Sequence, residues 1–79
     1  MTALEKYNDV FKKLFSLKEE QLNDQLIYQG IPAWDSIGHM EMVAELEDVF
    51  GIMLETEDII DFNSYVKGKE ILQKYGVEF

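Results

Sequence analysis

Three polar side chains at one loop–helix junction could carry out chemistry. Asp35, Ser36 and His39 place a carboxylate, a hydroxyl and an imidazole in one short stretch, and these are the groups of a serine hydrolase. A catalytic triad needs the histidine between the nucleophile and the acid, together with a separate oxyanion hole. Residues on a single helical turn rarely meet that demand, and 79 residues build little of a substrate pocket. We therefore expect no enzyme activity here and interpret His39 as a partly buried helix residue.

The hydroxyl of Ser36 has two interpretations. A serine in the first turn of a helix is ordinary capping chemistry. Alternatively, a hydroxyl that projects from a loop–helix junction can be reached by a modifying enzyme. The free N–H groups and the dipole of a helix N-terminus also favour a phosphodiester at that position. The residues themselves leave both interpretations open.

A bound metal ion is not expected. The chain has no cysteine and one histidine, so it lacks the Cys/His cluster of a structural metal site. Residues 61–65 begin like a calcium-binding loop. That pattern requires glycine at its sixth position and glutamate at its twelfth, where this chain has Val66 and Leu72.

The segments on either side of the junction are mostly helical in pattern. Thr2 and Glu5 fit a capping box, and an apolar stripe follows at helical spacing until near Ser16. This stripe consists of Leu4, Tyr7, Val10, Phe11, Leu14 and Phe15. The apolar residues of residues 17–35 follow no sustained helical spacing. A short turn of helix is expected around residues 19–22. Pro32 then favours an extended chain leading to Asp35.

The second helix is predicted from about Ser36 to Phe50, with Asp35 as N-cap and Gly51 as the C-terminal stop. Spacing at 100° per residue puts His39 with an apolar stripe that faces the core. That stripe is Met42, Val43, Leu46, Val49 and Phe50. The remaining face mixes apolar and acidic residues, namely Ile37, Met40, Glu41, Ala44, Glu47 and Asp48. It is either a docking surface or a set of ordinary exposed residues.

The C-terminal part predicts two more helices. Thr56 is expected to cap a short third helix that reaches Asp61, and Ser64 to cap a last helix that ends at Gly76. Gly68 lies in the apolar stripe of the last helix, where a close helix contact is expected. Further core residues are predicted at Met53, Leu54, Ile59, Ile60 and Phe62. The whole chain, residues 1–79, therefore predicts one all-α domain, a small four-helix bundle with a long loop between helices 1 and 2 and a short third helix.

Charge and hydropathy limit the partners. The net charge is −9, and between Lys18 and Lys67 the chain has carboxylates but no lysine or arginine. Such a surface repels nucleic acid and is attracted to basic proteins, although acidity also simply keeps a small protein soluble. No apolar run reaches the roughly 20 residues of a membrane span, and the first residues lack a signal-peptide pattern. We expect a cytoplasmic protein.

At these residues the chain resembles the acyl carrier protein family, of the stand-alone type. The resemblance rests on Asp35-Ser36-Ile37, close to the family's Asp-Ser-Leu signature, and on the acidic helix that follows and ends in Phe50-Gly51. It covers essentially the whole chain. It implies that Ser36 carries 4′-phosphopantetheine, transferred from coenzyme A by a separate magnesium-dependent phosphopantetheinyl transferase, with Asp35 as the adjacent acid. The arm would hold an acyl or aminoacyl group as a thioester.

The resemblance also implies a docking role for the second helix. The matching positions are those of its off-core face: Ile37, Met40, Glu41, Ala44, Glu47 and Asp48. The expected partners are the transferase, a loading synthetase and acyl-accepting enzymes with basic surfaces, each bound by a monomeric carrier. Ala44 and Gly38-His39 depart from the pattern of fatty-acid carriers, and Trp34 to His39 looks more like carriers of specialised pathways. The alternative function is a small acidic helical adaptor that binds a basic partner without being modified.

Overall fold

The computed structural model describes residues 1–79 and contains four α-helices and no strands. They are α1 (Ala3–Phe15), α2 (Ser36–Phe50), α3 (Thr56–Asp61) and α4 (Tyr65–Lys74). A single 3₁₀ turn at Glu19–Gln21 lies within the long loop between α1 and α2. The predicted all-α bundle with a short third helix is confirmed. None of the helices combines the length and the apolar character that crossing a bilayer requires.

Local sequence signals explain where the first two helices begin and end. Thr2 and Glu5 form the predicted capping box at the start of α1. Asp35 caps α2, because its Oδ1 accepts a hydrogen bond of 2.8 Å from the Gly38 amide. At the other end of α2, Gly51 adopts φ 65°, which ends the helix without the strain a side chain would add there.

Aromatic side chains of α1 and of the long loop fill the centre of the molecule. Trp34, Tyr7 and Phe11 are fully buried, and the Phe11 ring meets Trp34 edge-on at 5.4 Å between centroids. The stripe predicted for α2 lies against this centre, since Met42, Val43 and Leu46 are buried and Val49 and Phe50 are partly buried. Because large rings bury the most apolar area per residue, this cluster is a major source of the hydrophobic stabilisation.

Backbone hydrogen bonds fasten the long loop to the other end of the chain. The Tyr28 amide donates to the Asn63 carbonyl and the Tyr65 amide donates to the Leu26 carbonyl, both at 2.9 Å. Together with an isolated bridge between Ile27 and Ser64, they hold the loop beside the start of α4. The loop before Ser36 is therefore tied down, as a segment of that length needs to be in a compact domain.

Helix α3 is where the predicted core was wrong. Ile60 is 73% exposed and Met53, just before the helix, is 82% exposed, whereas the carboxylate residue Asp58 is buried. The reason is that Asp58 binds the Lys74 ammonium and the Tyr75 hydroxyl, which turns Ile60 outward. Thr56 is also not the cap, since α3 begins at Thr56 and Glu55 occupies the cap position without a side-chain hydrogen bond.

Leu4, at the start of α1, is more exposed than predicted. It was placed in the apolar stripe of α1 but is 39% exposed, because it lies beyond the buried part of that stripe.

Gly68 confirms the predicted close contact, since a Cβ at this position would collide with the Tyr7 hydroxyl and the Phe62 ring. The Tyr7 and Phe62 side chains can pack this closely against α4 only because residue 68 has no side chain.

Candidate functional site

Ser36 is the first residue of α2, and its side chain is exposed. The Asp35 carboxylate beside it caps the helix through Oδ1, and its Oδ2 makes no hydrogen bond within the chain. The backbone N–H groups of Ser36 and Ile37 also have no partner within the chain. The junction thus combines an accessible hydroxyl with two free N–H donors, which suit a bound or attached phosphate group, and it also carries one free carboxylate oxygen.

Gly38 fixes the first turn of α2 against the loop that precedes it. A Cβ on Gly38 would overlap the Ala33 carbonyl oxygen and lie 3.3 Å from the Phe15 ring. Any other residue here would push the start of the helix away from the core. Gly38 therefore determines where the Ser36 hydroxyl stands, a role that its spacing in the sequence does not reveal.

The imidazole of His39 is engaged at both nitrogens. The Trp34 indole N–H donates to His39 Nδ1 at 3.0 Å, and His39 Nε2 lies 2.8 Å from the Ile59 carbonyl oxygen. Because an indole nitrogen can only donate, Nδ1 is the acceptor and Nε2 carries the proton. Neither nitrogen is directed at the Ser36 hydroxyl, so the ring links the long loop, α2 and α3. His39 is partly buried, as predicted.

A groove of about 340 Å³ lies beside Ser36, between α2 and α3. Its lining is largely apolar and contains no lysine, aspartate or glutamate. Ser36 and Met40 lie on the α2 side, Ile59 and Ile60 on the α3 side, and Tyr28, His39, Phe62 and Asn63 complete the lining. The Ser36 hydroxyl is therefore next to an open, uncharged surface that an apolar group could contact.

A larger groove of about 410 Å³ lies elsewhere, between α1 and the core side of α2. Lys6, Lys13, Asp9 and Glu45 surround an apolar floor there. Its charged groups are of mixed sign, and it contains neither Ser36 nor any member of the cluster Asp35, Ser36 and His39. We therefore place the candidate site at the smaller groove.

The predicted docking face of α2 is largely exposed. Ile37 is 71% exposed and Met40 is 53% exposed, and Glu41, Ala44 and Asp48 are exposed as well. Glu47 differs, since it is partly buried and its Oε2 accepts a hydrogen bond of 2.8 Å from the Leu54 amide. Glu47 thus holds the α2–α3 connection, whereas Glu41 and Asp48 make no hydrogen bond or ion pair within the chain.

Several residues of the site were missed from the sequence. Tyr28 and Asn63 were placed in no site, and Ile60 was assigned to the core although it lines the groove. The link from His39 to Ile59 spans 20 positions, so no local pattern could indicate it. The exposed apolar residues of the short α3 are the signal that could have found part of this lining.

No protein-family model, curated protein or solved structure matches this chain. The assignment of a function therefore depends on the geometry of the site and on the resemblance carried by residues 34–52.

Proposed function

We propose that this chain is a carrier protein that holds an acyl or aminoacyl group as a thioester on a 4′-phosphopantetheine arm attached to Ser36. The observation that carries the proposal is the position of Ser36. Its hydroxyl is exposed at the start of a capped helix, beside an uncharged groove and at one end of an exposed face that mixes apolar and acidic residues. The resemblance of Asp35-Ser36-Ile37 to the signature of the acyl carrier proteins supports the same assignment.

The residues around Ser36 fit such a group. The free N–H groups of Ser36 and Ile37 suit the phosphodiester, and they lie at the positive end of the α2 dipole. The arm, when attached, supplies the thiol that this chain lacks, since it has no cysteine. Asp35 holds the first turn of α2 in place and leaves Oδ2 free on the same side chain.

The acidic residues of the α2 face indicate partners with basic surfaces. The proposed partners are a phosphopantetheinyl transferase, a synthetase that loads the cargo and enzymes that accept it, each with a basic docking surface. Glu41 and Asp48 are the free carboxylates of the α2 face and would meet those cations. Ile37 and Met40 lie between Ser36 and these acids in the chain and offer apolar contact area.

The test is covalent modification of the purified chain. Incubation with coenzyme A, magnesium and a broad-specificity phosphopantetheinyl transferase is expected to add the mass of one arm, read by intact-mass spectrometry. Ser36→Ala is expected to abolish the addition completely. Ser64→Ala is the matched control, because Ser64 also lies at a helix start, where its hydroxyl caps α4. This variant should still be modified, although loss of the cap costs about 1 kcal/mol of stability.

An unmodified wild-type chain after this incubation would contradict the carrier function. Addition to Ser36→Ala as well would show that the arm is attached elsewhere. If the wild-type chain stays unmodified, an acidic adaptor that acts without modification becomes the better description of the α2 face.

A further inference from the structure

We propose that Trp34, His39 and Ile59 form a pH-sensitive latch that controls the width of the groove beside Ser36. The proposal concerns the conformation of the groove and does not depend on modification of Ser36. Three features support this: the direction of two hydrogen bonds, the complete burial of Trp34 and the chemistry of imidazole.

The latch requires a neutral His39. In the neutral ring, Nδ1 accepts from the Trp34 indole and Nε2–H donates to the Ile59 carbonyl oxygen. A second proton can bind only at Nδ1, which would place two N–H donors face to face across 3.0 Å. Imidazole is the one side chain whose charge ordinarily changes between about pH 5 and pH 8.

The conflict is relieved by movement of His39. Trp34 cannot move easily, because it is 0% exposed and packs against Phe11 and Phe15. His39 is partly exposed at the groove, so its charged ring can turn toward water. The same rotation takes Nε2 away from the Ile59 carbonyl, and α3 loses its hydrogen bond to α2.

Helix α3 is the element that would respond. It has only six residues, and a helix of that length depends on tertiary contacts for its stability. Its other side-chain hydrogen bonds run from Asp58 to Lys74 and Tyr75, on the side of α4, and Ile59 also packs against the core. Release at Ile59 would therefore let α3 swing about the Asp58 attachment and widen the groove that Ile59 and Ile60 line.

Few other groups could produce the same response. The groove lining contains no carboxylate or ammonium, and its one other titratable group is the Tyr28 phenol, whose ring lies 5.3 Å from the imidazole between centroids. Three carboxylates on α2, on α3 and just before α2 have partners elsewhere: Asp35 accepts from Gly38, Glu47 accepts from Leu54, and Asp58 faces Lys74 and Tyr75. The other carboxylates of α2 and α3 are exposed, namely Glu41, Glu45, Asp48, Glu57 and Asp61.

Nuclear magnetic resonance can test the latch on the unmodified chain, which has one tryptophan and one histidine. While His39 is neutral, its ¹⁵N shifts should show a proton on Nε2 and none on Nδ1. As His39 becomes charged, solvent exchange of the Trp34 indole N–H, corrected for its intrinsic pH dependence, should rise by about tenfold. The methyl resonances of Met40, Ile59 and Ile60 should shift with the same midpoint.

Two variants separate the latch from general acid effects. In His39→Gln, the amide can donate to Ile59 but does not titrate, so the methyl shifts should disappear. In Trp34→Phe, no N–H faces Nδ1, so a charged His39 is tolerated and the methyl shifts should decrease. If either variant does not fold, the titration of the wild-type chain still tests the latch through the Trp34 indole exchange and the methyl resonances.

A proton on Nδ1 of neutral His39 would overturn the proposal. So would a His39 titration that leaves indole exchange and the groove methyls unchanged. Because coenzyme A and the transferase are absent from this experiment, its failure is independent of whether Ser36 is modified.

Discussion

The two helix contacts that flank the core are built differently. Where α1 meets α4, the Tyr7 hydroxyl donates to the Tyr65 carbonyl at 2.6 Å, and Gly68 leaves no space for even a methyl group. Where α2 meets α3, a groove of about 340 Å³ remains open, and one hydrogen bond from His39 to Ile59 crosses it. The first contact is filled by side chains, and the second is bridged by a polar contact across an open groove.

This difference separates stability from function. Burial in the α1–α4 contact is so complete that it raises the pKa of the Tyr7 hydroxyl well above its ordinary range. A contact of this kind has no freedom to accept a ligand or a partner. The α2–α3 contact keeps Met40 and Ile60 exposed beside Ser36, and a single hydrogen bond, from His39 to Ile59, crosses it. We infer that the first contact supports the second.

The largest expected effect is on the filled contact. Gly68→Ala places a methyl group against the Tyr7 hydroxyl and the Phe62 ring. Although alanine favours the helix, overpacking should lower the free energy of unfolding by about 1–3 kcal/mol. Urea denaturation of both proteins measures this loss.

Ile60→Ala is the matched control on the open contact. It removes apolar atoms from a side chain that is 73% exposed, so stability should change by no more than about 0.5 kcal/mol. Equal losses in the two variants would mean that the two contacts do not differ in packing.

A smaller effect is expected where α3 meets the C-terminal end of α4. The Lys74 ammonium, then the Tyr75 hydroxyl, lower the pKa of Asp58 by hydrogen bonding to its carboxylate. A lowered pKa means that this stabilisation is present above the ordinary carboxyl value of about 4 and is lost as the pH falls through the lower, folded value. Asp58→Asn should therefore reduce the melting temperature at neutral pH, and the gap to wild type should narrow on acidification below about pH 4.

Asp61→Asn controls for the loss of a negative charge on the same helix. Asp61 is exposed and makes no hydrogen bond, so its removal should leave the melting temperature within about a degree of wild type at neutral pH. A gap for Asp58→Asn that is constant from neutral to strongly acidic pH would show that the carboxylate charge does not matter there.

The same contrast explains which parts of the fold were predictable. The bounds of α2 follow from Asp35 and Gly51, since a cap and a left-handed stop act on residues a few positions away. The burial of Met42 and Val43 follows from helical spacing over fifteen residues, which is long enough to define a face. The close contact at Gly68 was predicted because glycine lowers the stability of a helix. A glycine within an apolar stripe therefore indicates a neighbour that leaves no space for a side chain.

The buried face of α3 could not be predicted in the same way, although the helix itself was predicted. Six residues do not define a stable apolar face, and the buried residue of this helix is a carboxylate. The partners of Asp58 lie 16 and 17 positions later in the chain, so hydropathy assigned the core to Ile60 instead. The candidate site divides similarly. Asp35 and Ser36 were proposed from the local sequence, whereas the groove depends on contacts between distant segments, which the local sequence does not indicate.

The smallest effect on stability is expected for a substitution on the outer face of α2. The same substitution should change the binding of a partner enzyme. Glu41 is exposed and unpaired beside Met40, so Glu41→Lys should leave the free energy of unfolding within about 0.5 kcal/mol of wild type. If α2 docks on basic surfaces, this charge reversal should raise the KM of the phosphopantetheinyl transferase by about threefold or more, and the difference should shrink as salt screens the charges.

Glu45→Lys provides the control, because it makes the same change in charge on the same helix but borders the groove next to α1. Glu47 is unsuitable for this purpose, since its replacement also removes the acceptor of the Leu54 amide. A larger KM for Glu41→Lys than for Glu45→Lys would localise docking to the face that adjoins Ser36 and the open contact. Equal increases would instead indicate that the partner responds to the net charge of the domain, and the open contact would then have no special part in recognition.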